Sequence, residues 1–364
     1  MILQLALVMG ALLLLTGVNS DSKETPIERW YRGNTHAHTA LSGHGDSSPE
    51  DVASWYLEHG YNFLILSEHN RFIDPTKVRL PSPRRSDFIL IPGEEVTGKQ
   101  YIHMTAMNIH RVVPWQFDDE DKSRIVQAHA DNIRAAGGLP ILNHPSYRKA
   151  LTTDDLLPVD GLHLFELFNG HMDDHDGGSV SNAPTASLWD SLLSQGMVVY
   201  GVASDDSHDF KTFGPYPLSN PGRGWVVVRA LELTPDAVTA SMDAGHFYSS
   251  SGVWLKSINN GHGRYAIEVD VERTQQELSQ PGHIGDPQSW KSDDEFVIDF
   301  IGSGGEILHT SHSDHATFQM SWTESPYVRA QVTWVKRTER GLEAFYAWGQ
   351  PIFKTQDSSR IIPE

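Results

Sequence analysis

The sequence predicts an α/β fold, a distorted seven-stranded (βα) barrel followed by a smaller all-β sandwich, and two patterns predict it. Between residues 30 and 205, short β-branched and aromatic runs alternate with helical stretches, the pattern of βα units around a mostly parallel sheet. Beyond Ser251 the helical spacing disappears, and alternating stretches separated by Gly, Pro, Ser and Asp take over. At 364 residues the chain exceeds what one core usually fills, so a large domain with a smaller one is expected.

Seven strand-like runs are legible: Trp30–Thr35, Tyr61–Ser67, Phe88–Gly93, Tyr101–Asn108, Leu139–Asn143, Leu162–Phe168 and Val198–Ala203. Between them, Ser48–His59, Lys122–Ala136 and Thr185–Gln195 space their apolar residues as helices do, and Ser48-Pro49-Glu50 reads as a cap with proline in the first turn. One more strand (Trp225–Arg229) and a helix opening on Pro235 (Thr234–Ala244) follow. The sandwich strands are expected near Tyr265–Val271, Glu295–Ile301, Tyr327–Val335 and Glu343–Trp348. This divides the chain into a leader (1–20), a barrel (29–250) and a β-domain (251–364). Trp348-Gly349-Gln350-Pro351 reads as a closing strand lying against the barrel, and His283, His309, His312 and His315 as surface loop residues.

Residues 1–20 carry no charged side chain and end in the small residues Val18-Asn19-Ser20, as a secretory signal cleaved after Ser20 does. A secreted or periplasmic protein follows, with no stable membrane association once the leader is removed. No Lys or Arg precedes the apolar run, so an uncleaved N-terminal membrane anchor is the alternative. The chain has 0 cysteines, which excludes disulfides and leaves the compartment open. Lys and Arg number 28 against 47 Asp and Glu, a net charge of −19 that makes nucleic acid a poor partner. An anionic small molecule remains possible wherever metal cations dominate the local field.

Chemistry concentrates at the C-terminal ends of the runs, where parallel α/β sheets and barrels place their active sites. His36-Ala37-His38 sets two imidazoles on one side of a strand, because side chains alternate with a period of two. His69 closes the second run in Ser67-Glu68-His69-Asn70, and Glu95 follows the third in Gly93-Glu94-Glu95. His103 lies in the fourth run, His144 ends the fifth in Asn143-His144-Pro145, and Asp206-Ser207-His208 ends the seventh. Any one of these histidines alone reads as an ordinary hydrogen-bonded residue. Their succession at strand ends points instead to a metal site.

In their order these motifs resemble the polymerase and histidinol phosphatase (PHP) superfamily of metal-dependent phosphoesterases, over roughly Arg29 to Val253. The resemblance implies a distorted seven-stranded barrel with two or three divalent ions. His36, His38, Glu95 and Asp206 would hold one, and Glu95 would bridge to a second held by His103 and His144. A third would lie at His69, His208 and a residue of the loop after the first strand. Many members have Ser-Asp-Gly there, whereas this chain reads Ser42-Gly43-His44-Gly45-Asp46, so His44 and Asp46 both stand as candidates, His44 at the better spacing. Glu95 is taken over Glu94 because the family's glutamate stands two residues after the glycine.

A metal-bridged water with its pKa lowered toward about 7 would supply hydroxide to attack an ester, so no protein nucleophile is required. Glu95, Asp206 and His208 are the residues nearest that chemistry, His208 either as a ligand or as the acid for the leaving oxygen. The mix of imidazole and carboxylate suits zinc, manganese or iron alike. For a small-molecule ester substrate, the candidate contacts are Asn169 and His171 in the loop running to Gly178, Arg148 in Tyr147-Arg148-Lys149, and Arg71. Phosphate mono- or diesters are the first expectation. Carboxylic, carbamate or amide esters are the alternative, since a secreted branch of the family with a similar β-tail includes a carbamate hydrolase, and a non-catalytic metal-dependent binding protein is the third reading.

Overall fold

The computed structural model describes residues 28–80, 86–115, 119–149, 151–171, 183–214, 218–261, 263–279, 296–338 and 341–354. The leader, Glu295, His283 and the loop segment 172–178 lie outside the described residues.

The protein is α/β. Strands β1 (Arg29–Asn34), β2 (Phe63–Ile65) and β3 (Ile89–Ile91) pair in parallel. The space above Gly33 in β1 is filled by the Phe63 ring, where an added Cβ would lie 2.1 Å from it. Helix α1 (Pro49–Glu58) connects β1 to β2, capped by the Ser48 hydroxyl, which accepts from the Asp51 N–H. It buries Val52, Ala53, Tyr56 and Leu57, one stripe at helical spacing.

The third run breaks at Pro92, which lacks the N–H a ladder needs, into β3 and β4 (Gly93–Thr97). From β4 the chain turns directly into β5 (His103–Met107), so the two pair antiparallel, since the residues between them are too few for the crossover that a parallel pair requires. β6 (Leu139–Leu142) is antiparallel to β5, and β7 (Leu164–Asn169) and β8 (Tyr200–Ser204) then continue in parallel. The expected βα repeat therefore holds at both ends of the region and fails in its middle. Helix α2 (Lys122–Ala135) precedes β6, the short α3 (Thr153–Leu156) precedes β7, and α4 (Ala183–Ser194) precedes β8.

β4 to β8 form a five-stranded sheet, while β1 to β3 belong to a nine-stranded one. Two single parallel bridges, Ala37 to Ser207 and His69 to Glu95, span the gaps between them. Among the described residues no ladder closes these strands into a barrel. Both bridges fall at strand ends, where the backbone leaves the ladder and the side chains of the next subsection converge.

From β1 the nine-stranded sheet runs through β9 (Trp225–Ala230) and β10 (Phe247–Ser250), separated in sequence by α5 (Pro235–Asp243), into the C-terminal strands. The three-stranded sheet of β11 (Leu255–Asn259), β12 (Arg264–Val269) and β15 (His315–Gln319) covers that C-terminal part, which contains β13 (Phe296–Ile301), β14 (Ile307–His312), β16 (Tyr327–Thr338) and β17 (Gly341–Phe353). Between the layers, Tyr265 Oη donates to the Gln350 carbonyl at 2.8 Å and the rings of Phe300 and Phe318 stack at 5.3 Å. β17 pairs antiparallel with β10, so the tail continues the N-terminal sheet, a connection that periodicity cannot reveal. The Gln350 amide accepts from Gly201 N–H at 2.9 Å and donates to Gly201 C=O at 2.8 Å, binding the tail to β8 like a further strand.

Two buried arginines fasten the parts together. Arg32 stacks over Tyr61 and Trp225 at 3.9 and 4.0 Å and pairs at 2.7 Å with Glu277 of α6 (Val271–Glu277). Arg329 on β16 holds Asp190 of α4 through two bonds of 2.6 and 2.7 Å. No helix among the described residues is long and apolar enough to cross a membrane.

Candidate metal centre

Past β1, His36 and His38 converge on the same two carboxylates, with Ala37 between them buried in the core. Their Nε2 atoms lie 3.1 Å apart, and each is 3.3 Å from Asp206 Oδ1. Glu95 completes this group, with Oε1 at 3.3 Å from His36 Nε2 and Oε2 at 3.5 Å from His38 Nε2.

Glu95 also faces a second set of imidazoles. Its Oε2 lies 2.6 Å from His69 Nδ1, and its Oε1 lies 3.1 Å from His103 Nδ1 and 3.5 Å from His144 Nε2. Strand alternation decides which of the paired glutamates can do this. Glu94 points to the other face of β4, where it accepts from the Val113 N–H at 2.6 Å and burial raises its pKa to about 7.

A third set forms around His44. Its Nε2 is 3.4 Å from His69 Nε2, and its ring stacks on His208 at 4.5 Å. Among the described residues, three groupings bring their ligand atoms within 4.8 Å of one another: His36, His38 and Glu95; His69, Glu95 and His103; His38, His44 and His208. Asp46 stands apart, because its carboxylate accepts from the Phe210 and Lys211 N–H groups at 3.0 Å each and holds the loop after His208. His44→Ala is therefore expected to weaken metal binding by at least about 10-fold, the lower end of what losing even an outer partner costs. Asp46→Ala should leave metal content unchanged and cost about 1 kcal/mol of stability through the freed amides. Elemental analysis and thermal unfolding of the two variants check both.

The backbone is distorted where these ligands sit. His144 and Asp206 adopt φ of 26° and 47°, left-handed values that non-glycine residues rarely take and that gather at functional sites.

The charges call for a cation. Burial opposes ionisation of Glu95 and Asp206, yet the surrounding imidazoles, His36 foremost, hold both carboxyls well below the usual carboxylate range. Glu166 is lowered in the same way. Their ion pairs among the described residues are to histidines, with neither Lys nor Arg. Burial alone would lower the His36 pKa, but Asp206, Glu166 and Glu95 raise it well above its ordinary value. Burial takes His38 down to about 4 and holds His208 well below normal, so these two offer neutral lone pairs. The buried His208 Nε2 has no hydrogen-bond partner among the described residues, as an atom shaped for a ligand bond would be. Buried carboxylates among imidazoles, of which His38 and His208 are held neutral, form at these separations a donor set that fits divalent transition metals.

Comparison with known proteins adds little to this geometry. One solved structure is similar over most of its length. It is a two-domain protein containing a predicted PHP-like metal-dependent phosphoesterase from Bacteroides vulgatus ATCC 8482, 13% identical, covering 88% of this chain and 95% of that one at a TM-score of 0.44. No family model and no curated protein matches the chain. Function must be argued from this chain's own residues.

Several of those residues escape a sequence reading. Glu166, within the apolar β7, accepts from His36 Nδ1 at 2.7 Å, from His144 N–H at 2.8 Å and from the Ser204 hydroxyl at 2.5 Å. It thereby keeps a proton on His36 Nδ1 and turns Nε2 inward, the nitrogen that would lose its proton to hold a cation. Asn143 donates to Glu95 Oε1 at 2.9 Å. On the other side Ser42 Oγ lies 3.1 Å from His38 Nδ1 and donates in turn to Glu68. The one sequence signal for Glu166 is a lone carboxylate amid Leu164-Phe165 and Leu167-Phe168.

The candidate substrate contacts separate. Asn169 is fully buried, and its amide donates to Glu166 Oε2 at 2.9 Å and Asp206 Oδ2 at 3.2 Å, so it supports the ligands and does not face the opening. His171 remains at the rim, with its ring 5.2 Å from that of His208. Arg71 is exposed and donates to the Leu41 carbonyl at 3.3 Å. Arg148 lies over Tyr101 and Tyr147 beside His144.

Proposed function

We propose that this protein is a metal-dependent hydrolase of the PHP type that cleaves phosphate mono- or diesters, exported by its N-terminal leader and built on a barrel-like arrangement of β1 to β8. The observation that carries the reading is Glu95, whose two oxygens lie within 3.5 Å of ring nitrogens from His36, His38, His69, His103 and His144. A carboxylate so shared suits a bridge between two cations. Divalent ions held there would supply Lewis acidity and lower the pKa of bound water toward about 7.

The protein's own part is orientation. Glu166, Asn143 and Asn169 fix the rings and carboxylates, and His208 Nδ1 donates to the Asp206 carbonyl at 2.9 Å, which leaves Nε2 as a lone pair. With its pKa held well below normal, His208 suits ligation and not proton donation.

The test compares three substrates with the mature protein loaded with manganese or zinc: nitrophenyl phosphate, bis-nitrophenyl phosphate and a naphthyl carbamate. Turnover of either phosphate ester is the expected result. Turnover of the carbamate alone transfers the same site to carboxylic or carbamate esters, and full metal occupancy without any turnover marks a binding protein.

A further inference from the structure

The geometry points to a second recognition element beside the metal centre: Arg148, held between Tyr101 and Tyr147, binds an oxyanion that the substrate carries away from its scissile bond. This rests on the hydrolase reading and narrows its substrate to esters with a second, distal carboxylate or phosphate.

Two loops build the element. The turn between β4 and β5 presents Tyr101, and the turn after β6 presents Tyr147 and Arg148. The Arg148 guanidinium lies 4.7 Å from the Tyr101 ring centre and 5.3 Å from that of Tyr147, and its Nη1 donates to Tyr101 Oη at 2.9 Å. The two tyrosines meet edge to face at 5.7 Å. Stacking on aromatic faces restrains a long side chain that would otherwise wander, and so leaves its planar fork ready for a bidentate oxyanion.

In these turns Gln100 at φ 59°, Tyr101 at 60° and Arg148 at 52° hold left-handed backbone angles, as His144 does at 26°. Such conformations persist where the surrounding structure imposes them, and they gather at ligand clamps. Here they occur together on both sides of one guanidinium.

Position defines what the cation reads. The Tyr147 ring packs 5.5 Å from the His144 ring, and Tyr147 N–H donates to the His144 carbonyl at 2.9 Å. The Tyr147 ring thus packs against both the Arg148 guanidinium, at 5.3 Å, and the His144 ring, at 5.5 Å, and no hydrogen bond or ion pair joins Arg148 to a candidate ligand among the described residues, so the guanidinium is assigned a group beyond the one bound among those ligands. No carboxylate pairs with Arg148 among the described residues, in a chain with 47 acidic side chains against 28 basic ones. An exposed arginine kept from those carboxylates is available to an external anion.

The experiment uses calorimetry on the metal-loaded protein with three unreactive probes: phenylphosphonate, 4-carboxyphenylphosphonate and benzene-1,4-diphosphonate. At least one of the two doubly anionic probes should bind ten-fold or more tighter than phenylphosphonate, and the tighter of the two identifies carboxylate or phosphate as the group read. Arg148→Met should abolish that preference, Arg148→Lys should keep part of it, and Tyr101→Phe should reduce it while keeping the ring. Equal affinity for all three probes in the wild type overturns the inference, as does a loss in Arg148→Met that is equal for every probe. Because the probes are not turned over, discrimination without hydrolysis of any ester leaves this element standing while removing the hydrolase reading. Hydrolysis without discrimination does the reverse.

Discussion

Glu95→Gln is expected to release at least one divalent ion per chain and to lower turnover by at least about 100-fold, because even partners outside the ligand set cost 10- to 100-fold when removed. The amide preserves shape and removes the charge that His36, His69 and His103 all face. Glu166→Gln is the informative companion. It acts by holding His36, His144, Ser204 and Asn169, so a loss of about 10- to 100-fold in metal affinity is expected with the ligand set still present. Metal content by elemental analysis, titrated against a chelator, separates the two. An unchanged metal count in Glu95→Gln would show that this carboxylate bridges nothing.

Asp190→Ala should destabilise the fold by about 3–5 kcal/mol, the range for removing one partner of a buried ion pair. Arg329 would be left buried over the Trp189 ring at 4.9 Å with its carboxylate partner among the described residues gone. Tyr327 Oη, which donates to Asp190 Oδ1 at 3.1 Å, would lose a bond as well. Replacing both partners, as Asp190→Ala with Arg329→Met, should recover much of that loss, because an apolar pair leaves no unpaired charge. Denaturant unfolding of the two singles and the double measures the coupling. Additive losses would mean that the pair does not join α4 to β16.

The candidate centre was legible because its residues sit at strand ends in a fixed order; Glu95 was taken over Glu94 on the family resemblance, and in the structure the alternation of β4 turns Glu95 toward the histidines and Glu94 to the other face. Residues that support the ligands were not legible. Glu166 and Glu68 make their contacts through the tertiary fold, and nothing local distinguishes Asn169, which looks like a rim residue, from one turned inward onto two carboxylates. His44 and Asp46 are two residues apart in one loop, and only the loop's path shows that Asp46 serves the amides of Phe210 and Lys211. In the fold, the elements with strong periodicity, α1, α2 and α4 among them, stood near their expected positions. Among the described residues no ladder closes the expected barrel; Pro92 interrupts the third run, and the tight turn after Thr97 sets β4 and β5 antiparallel. Nor does any pattern within β17 announce that its partner is β10, about a hundred residues earlier, since pairing between distant strands is set by packing and not by either segment alone.

The central claim is that His36, His38, Glu95 and Asp206 share one divalent ion and that Glu95 extends to a second. Anomalous diffraction from crystals of the manganese- or zinc-loaded protein tests it most directly. The expected result is a peak among those four residues and another between Glu95, His103 and His144. A fully loaded crystal with no anomalous peak within bonding distance of Glu95 would contradict the account.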